Sequence, residues 1–252
     1  VVTPNPTGST VRGTVESDLR PSFEHHPAIR GRQVEARAMA DELRRLIRLS
    51  VSTAPSPEVT AELTAHLAAV ADRLEAHVPE PAFPRFIAPN ETPPEGVALG
   101  GSMPFDLIVG PFNPLALPVR LAFEPPKALA YATFDVGYEG APGCVHGAAL
   151  AATFDIVLTA ANSIAGATGP TVRLGVRYRR PTLVNEEAVF EGWVTEVTDR
   201  RIYSLGRIVQ GGVVTVEAEG EFAILNHEGV HKMAAVRRTT FDGAAISADN
   251  PE

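Results

Sequence analysis

Between residues 140 and 166 the chain reads GAPGCVHGAALAATFDIVLTAANSIAG. From 147 to 165 the composition predicts a helix, and Ala, Leu, Ile, Val and Phe fall on nearly every face of it. A helix apolar all round has to be covered on most sides. Its length approaches that of a bilayer span, but Asp155, Asn162 and several hydroxyls interrupt it. Burial inside a folded domain therefore fits better, and the rest of the chain has to supply a wrapping.

The flanking segments supply it. Two strand patterns precede the helix, at 115–123 and 128–138, with Glu124-Pro125-Pro126-Lys127 as the turn between them. Four follow, at 171–180, 187–197, 201–210 and 213–225. In the first of these Val172, Leu174, Val176 and Tyr178 alternate with Arg173, Arg177 and Arg179. Gly211-Gly212 suits the hairpin between the last two. The implied fold class is α+β, an antiparallel sheet wrapped around one long central helix.

Upstream, apolar periodicity predicts helices at 29–49 and 57–77, with Ser56 as N-cap and Pro57 in the first position of the second. Together they read as a helical hairpin, followed by a Pro-dense linker at 79–94. Segment 1–27 is polar, and His25-His26 reads as a loop pair rather than a metal site. The domain reading is an N-terminal extension at 1–95, a main folded domain at 96–226 and a flexible tail at 227–252. A net charge of −8 argues against a general nucleic-acid or anionic-membrane binder, without forbidding a local basic patch. The single cysteine, Cys144, excludes an internal disulfide and reads as a small packing residue. With no signal peptide visible, it points to a cytoplasmic location. No integral membrane segment, metal or cofactor is expected.

The central helix must also account for its polar residues. Asp155, Thr159 and Asn162 recur at i, i+4 and i+7, one stripe of the helix. Either they are satisfied within the core or Asp155 serves a site. At the helix front, residues 144–148 are mostly small, and the first N–H groups lack internal acceptors. Such an end polarises a carbonyl. Asp155 lies nine residues beyond His146, about 13 Å along the axis and half a turn around it. One helix cannot aim both features at one atom, whereas two antiparallel copies can, so a shared site implies a symmetric dimer.

His146-Gly147-Ala148, six residues and then Asp155 resembles the His-Gly-Gly…Asp motif of hotdog-fold acyl-CoA thioesterases. The subgroup includes the phenylacetate-pathway enzymes and the thioesterase superfamily members of animal mitochondria. The resemblance covers about 115–225, under half of the chain, and Ala148 stands where the family has a second glycine. It implies a hotdog fold and hydrolysis of an acyl-CoA to a free acid and CoA, without a cofactor, by a homodimer or dimer of dimers. It assigns the oxyanion contact to the Gly147 N–H beside Ala148. Asp155 of the partner chain becomes general base or nucleophile, and a hydroxyl at the start of the next strand, here Thr171, orients the water. His146 is expected to orient the turn, and Arg177, Arg179 and Arg180 to lie near the CoA nucleotide. Phe134, Phe154 and Trp193 are candidates for the acyl pocket, with the N-terminal helices as its cap. The rival reading is a non-catalytic acyl-CoA-binding or sensing hotdog protein, and a hydratase of the same fold is weaker still.

Overall fold

The computed structural model describes residue 26 and residues 28–80 and 104–224. The central helix, Gly147–Ile164, forms as expected, and half of its 18 residues are buried. Six strands cover it: β1 (Val119–Glu124), β2 (Lys127–Thr133), β3 (Thr171–Tyr178), β4 (Glu187–Val197), β5 (Arg201–Gln210) and β6 (Val213–Ala223). All neighbours pair antiparallel, in the order β1-β2-β4-β5-β6-β3, so β3 is an edge.

The sheet approaches the helix because one row across it has almost no side chain. Ala128 pairs with Gly192, Gly192 with Gly206, and Gly206 with Ala218, which carries the row through β2, β4, β5 and β6. A Cβ on Gly192 would stand 2.9 Å from Val157 Cγ1, and one on Gly206 3.0 Å from Phe154 Cε1. Larger residues fill the core beside this channel. Phe154 meets Phe190 edge-on at 5.3 Å between ring centroids, and Phe134 meets Phe190 at 6.4 Å. These aromatics are fully buried packing groups.

Several expectations need correction. Trp193 lies on the sheet face away from the helix, with the Lys127 ammonium 5.8 Å and the Arg207 guanidinium 6.0 Å from its ring centre, so it lines no acyl pocket. The first strand begins at Val119, not 115, and the second ends at Thr133. The chain then tightens into a 3₁₀ turn at Val136–Tyr138, where Asp135 Oδ1 accepts from the Gly137 N–H at 2.8 Å.

The two upstream helices exist as α1 (Gln33–Ser52) and α2 (Pro57–Glu75), which makes the central helix α3. α1 runs further than the expected 49. The hydroxyls of Ser50, Ser52 and Thr53 bond back to the carbonyls of Ile47, Arg48 and Leu49 at 2.7–2.8 Å, which satisfies the final turn. α2 starts as expected, with Ser56 accepting from the Val59 N–H at 3.4 Å and Pro57 in the first turn. The expected hairpin does not form. α1 rests on the Val136–Tyr138 turn, and the two helices do not pack along their lengths. Thr53 and Ser56 are both extended, so the link is no tight turn. No residue of α2 is buried, and Val59, Leu63, Leu67, Val70 and Leu74 stay exposed. Segment 1–25, most of the Pro-rich linker, the 95/96 boundary and the tail lie outside the described residues.

Candidate active site

The front of α3 is built by short pairings on either side of it. Glu139 bridges Val145, and Cys144 bridges Leu183. The Val145 N–H donates to Thr182 O at 2.8 Å, and the His146 N–H to Tyr138 O at 2.7 Å. Gly140 permits this closeness, since a Cβ there would stand 2.9 Å from His146 Cα. The Gly143 N–H donates to the Glu139 carboxylate, and Cys144 Sγ contacts Pro142 O at 3.5 Å. The turn expected before the helix is thus a braced structure, with Cys144 as part of the packing.

His146 is the N-cap of α3. Its Nδ1 accepts from the Ala148 N–H at 3.0 Å, which leaves the proton on Nε2. The imidazole therefore caps the helix, and Ala148's amide is occupied. Gly147's N–H has no acceptor among the described residues, as befits the first amide of a helix. Over the same residue lies Tyr178, whose hydroxyl donates to Gly147 O at 2.8 Å. A Cβ at 147 would come within 2.9 Å of that hydroxyl. Partial burial pushes the Tyr178 phenol above its ordinary range, so it remains a donor. In the sequence Tyr178 is only one apolar position in an alternating strand. The signal that it meets the helix front lies in the glycine at 147, which is legible only once the fold is known.

Asp155, two turns further along α3, is half-buried. Thr171 Oγ1 donates to Asp155 Oδ1 at 2.6 Å, so the structure joins two of the expected site residues. The register of β3 against β6 slips between Thr171 and Arg173, a bulge that re-aims Thr171 toward the helix. Asp155 Oδ2 has no hydrogen bond among the described residues. The other members of the polar stripe do different work. Thr159 Oγ1 donates to the Asp155 carbonyl at 2.7 Å, and the buried Asn162 Oδ1 accepts from Ser204 Oγ at 2.5 Å.

Within one chain, Asp155–Thr171 and Gly147–Tyr178 remain two separate clusters on α3, in keeping with the spacing of about 13 Å. The β3 arginines are divided too. Arg179 is paired to Glu217 at 2.7 Å, whereas Arg177 and Arg180 carry no ion pair among the described residues. An apolar pocket of ≈ 350 Å³ lies against the helix front, lined by Leu107, Ile108, Leu115 and Leu117 opposite Ala148, Ala149 and Ala152. The poorly patterned passage before β1 gives no sign of this in the sequence, because it forms turns and its apolar residues follow no period. Among the described residues no His, Cys, Asp and Glu group could hold a metal ion.

A long apolar helix wrapped by a six-stranded antiparallel sheet, with a carboxylate on the helix and a free amide at its front, defines a hotdog-fold domain of the thioesterase type. The sequence profile of the thioesterase superfamily matches residues 142–217, which spans the helix front, Asp155, Thr171 and Tyr178. A solved thioesterase superfamily protein is 30% identical, with a TM-score of 0.65, and the match covers 74% of this chain and 94% of that one. This chain belongs to the thioesterase superfamily. Zebrafish thioesterase superfamily member 2 matches at 16% identity and a TM-score of 0.41, covering 43% of this chain and 82% of its own. A mutant phenylacetic acid degradation protein PaaI from Thermus thermophilus matches at 17% and 0.41, covering 43% and 95%. Comparison with curated proteins gives no match.

Proposed function

We propose that this protein is an acyl-CoA thioesterase that works as a cytoplasmic homodimer, or as a dimer of dimers. The observation that carries the reading is the Thr171–Asp155 hydrogen bond of 2.6 Å, which ties up one carboxylate oxygen and leaves the other free among the described residues. Membership of the superfamily supports thioester hydrolysis as the reaction class. A carboxylate held in this way is what such a reaction requires.

In the proposed cycle the thioester carbonyl rests on the Gly147 N–H of one protomer. Asp155 Oδ2 of the other takes a proton from water as the water oxygen bonds to the carbonyl carbon. Negative charge gathers on the former carbonyl oxygen, where the amide and the positive end of the helix stabilise it. The intermediate collapses, the carbon–sulfur bond breaks, and CoA leaves as its thiol after taking up the proton. In the nucleophilic variant, Asp155 itself bonds to the carbonyl carbon and expels CoA, and water then opens the anhydride. Thr171 serves both routes by fixing the carboxylate's rotation.

The rival reading, a non-catalytic acyl-CoA binder, draws on one feature. His146 occupies the Ala148 amide at 3.0 Å, so the helix front offers one free donor where a pair would be stronger. CoA release from short, long and aromatic acyl-CoAs, measured for the wild type and for Asp155→Asn, separates the two. We expect turnover that falls about 10²–10⁴-fold in the variant while its oligomeric state persists. Tight acyl-CoA binding without CoA release by the wild type would make it a binding module.

A further inference from the structure

The chain is acidic overall, with a net charge of −8, yet five arginines converge on one cleft of ≈ 640 Å³ between α1 and the segment entering β1. They are Arg37, Arg44, Arg45, Arg48 and Arg120, and only Asp41 and Asp135 oppose them among the lining residues. Two of the five are committed. Arg44 reaches the carbonyls of Pro111 and Asn113 at 2.9 and 2.7 Å and thereby docks the helix onto the segment. Arg37 is held by Asp41 at 3.1 Å. The remaining three stay available. Arg45's pair with Glu42, at 3.2 Å, lies in solvent on the helix surface, where such a pair contributes little. Among the described residues Arg48 has no ion pair, and Arg120 lies 4.5 Å over the Tyr131 ring without a carboxylate partner. Asp135 Oδ1 accepts from the Gly137 amide at 2.8 Å, which fixes its carboxylate at the Tyr138 end of the cleft, and three available guanidinium groups still outnumber it.

This cleft adjoins the apolar pocket at the helix front. Leu115, Leu117, Gly137 and Tyr138 line both. One side of this region is therefore cationic, and the other is largely apolar and reaches His146 and Ala148 at the helix front. A ligand that fills it is anionic at one end and carries its reacting carbonyl some way off.

We propose that the Arg45, Arg48 and Arg120 side of this cleft binds the phosphates of the CoA nucleotide, with the pantetheine arm passing Tyr138 to the thioester site. The inference rests on the acyl-CoA reading above. It gives α1 the role of a phosphate-binding wall rather than a cap on the acyl chain, and it moves the nucleotide away from Arg177 and Arg180 of β3, which line neither cavity. Guanidinium groups suit this role because each offers two parallel donors to phosphate oxygens.

The test compares kcat/KM for an acyl-CoA with that for the matching acyl-pantetheine, which carries no nucleotide. In Arg48→Ala/Arg120→Ala we expect the preference for acyl-CoA to collapse roughly ten- to hundredfold, through KM. A preference that survives in this variant overturns the proposal, and so does one that collapses only in Arg177→Ala/Arg180→Ala. Calorimetry with desulfo-CoA tests the cleft without any turnover. Binding by the wild type that weakens by a similar factor in the arginine variant supports the cleft even if no thioester is hydrolysed, in which case only the catalytic reading falls. Hydrolysis confined to thioesters on an acidic carrier protein, with no desulfo-CoA binding, overturns the cleft and the acyl-CoA substrate while leaving Asp155-dependent thioester hydrolysis standing.

Discussion

Gly147 leaves room at its α-carbon for Tyr178, and the proposed mechanism also requires its amide to stay open. Alanine at this position is intrinsically the better helix residue, yet its Cβ would meet the phenol at 2.9 Å. Gly147→Ala should therefore destabilise the fold and lower turnover, whereas Tyr178→Ala in the same background should recover part of the stability. Urea denaturation of the four proteins of this cycle checks it. We expect a coupling of about 1 kcal/mol, and additive effects would show that the two residues do not contact. His146→Ala should cost about 0.5–2 kcal/mol by uncapping α3. Much of this neighbourhood is legible in the sequence. The apolar composition marks the helix, the resemblance to the His-Gly-Gly…Asp motif singles out His146, Gly147 and Asp155, and the same resemblance points to a hydroxyl at the start of the next strand, here Thr171. Tyr178 is not legible, because a strand alternation gives which side a residue faces and not which residue it meets. The cleft arginines are equally hidden, since Arg48 and Arg120 lie far apart in the chain and only the docking of α1 brings them together.

At the scale of elements, the sheet curves around α3 because Ala128, Gly192, Gly206 and Ala218 form a row without bulk. The strands themselves are readable from alternation, but this row is not, as it consists of one residue from each of four strands. Gly192→Ala would place a methyl 2.9 Å from Val157 Cγ1 and 3.1 Å from its carbonyl oxygen. Overpacking of this kind costs about 1–3 kcal/mol, which should show as a lowered Tm in a thermal melt. The outer face of the same strands carries a different contribution. Lys127 and Arg207 reach Glu191 at 2.9 and 3.0 Å, and the hydrogen bond from Lys127 is the chief reason its carboxyl is held below the ordinary range, against the opposing effect of burial. A carboxyl with a lowered folded-state pKa stabilises the protein above its unfolded pKa and loses that contribution as pH falls through the folded value. Glu191→Gln should thus cost about 1 kcal/mol at neutral pH, since both cations are partly in solvent. Wild type and variant should converge in acid, and denaturation midpoints measured from neutral pH down to pH ~3 would reveal it. A gap that persists at low pH would assign the effect to packing instead.

For the whole molecule, the decisive fact is that α3 holds the two candidate clusters at different places along its axis. Gly147 and Asp155 are separated by eight residues, about 12 Å of helix. No rotation of side chains within one chain closes that distance. The proposed dimer closes it by setting the front of one α3 beside the Asp155 of the other, and β3, an edge strand, leaves the flank of the sheet next to Thr171 open for a second copy. This arrangement makes a quantitative prediction. Asp155→Asn retains an intact helix front, and Gly147→Val retains an intact carboxylate, so each homodimer has two defective sites. When the two inactive proteins are unfolded together in equal amounts and refolded, half of the dimers should be mixed, and each mixed dimer should own one site built wholly from unaltered residues. The mixture should regain about a quarter of wild-type activity, whereas the same proteins folded separately and then combined should stay inactive until subunits exchange. Gly147→Val has to fold for the test to count, so circular dichroism and the sedimentation coefficient of each homodimer are measured alongside. If both variants are folded dimers and the refolded mixture regains nothing, then Gly147 and Asp155 do not serve one site across the two-fold axis, and the proposed mechanism loses its geometry.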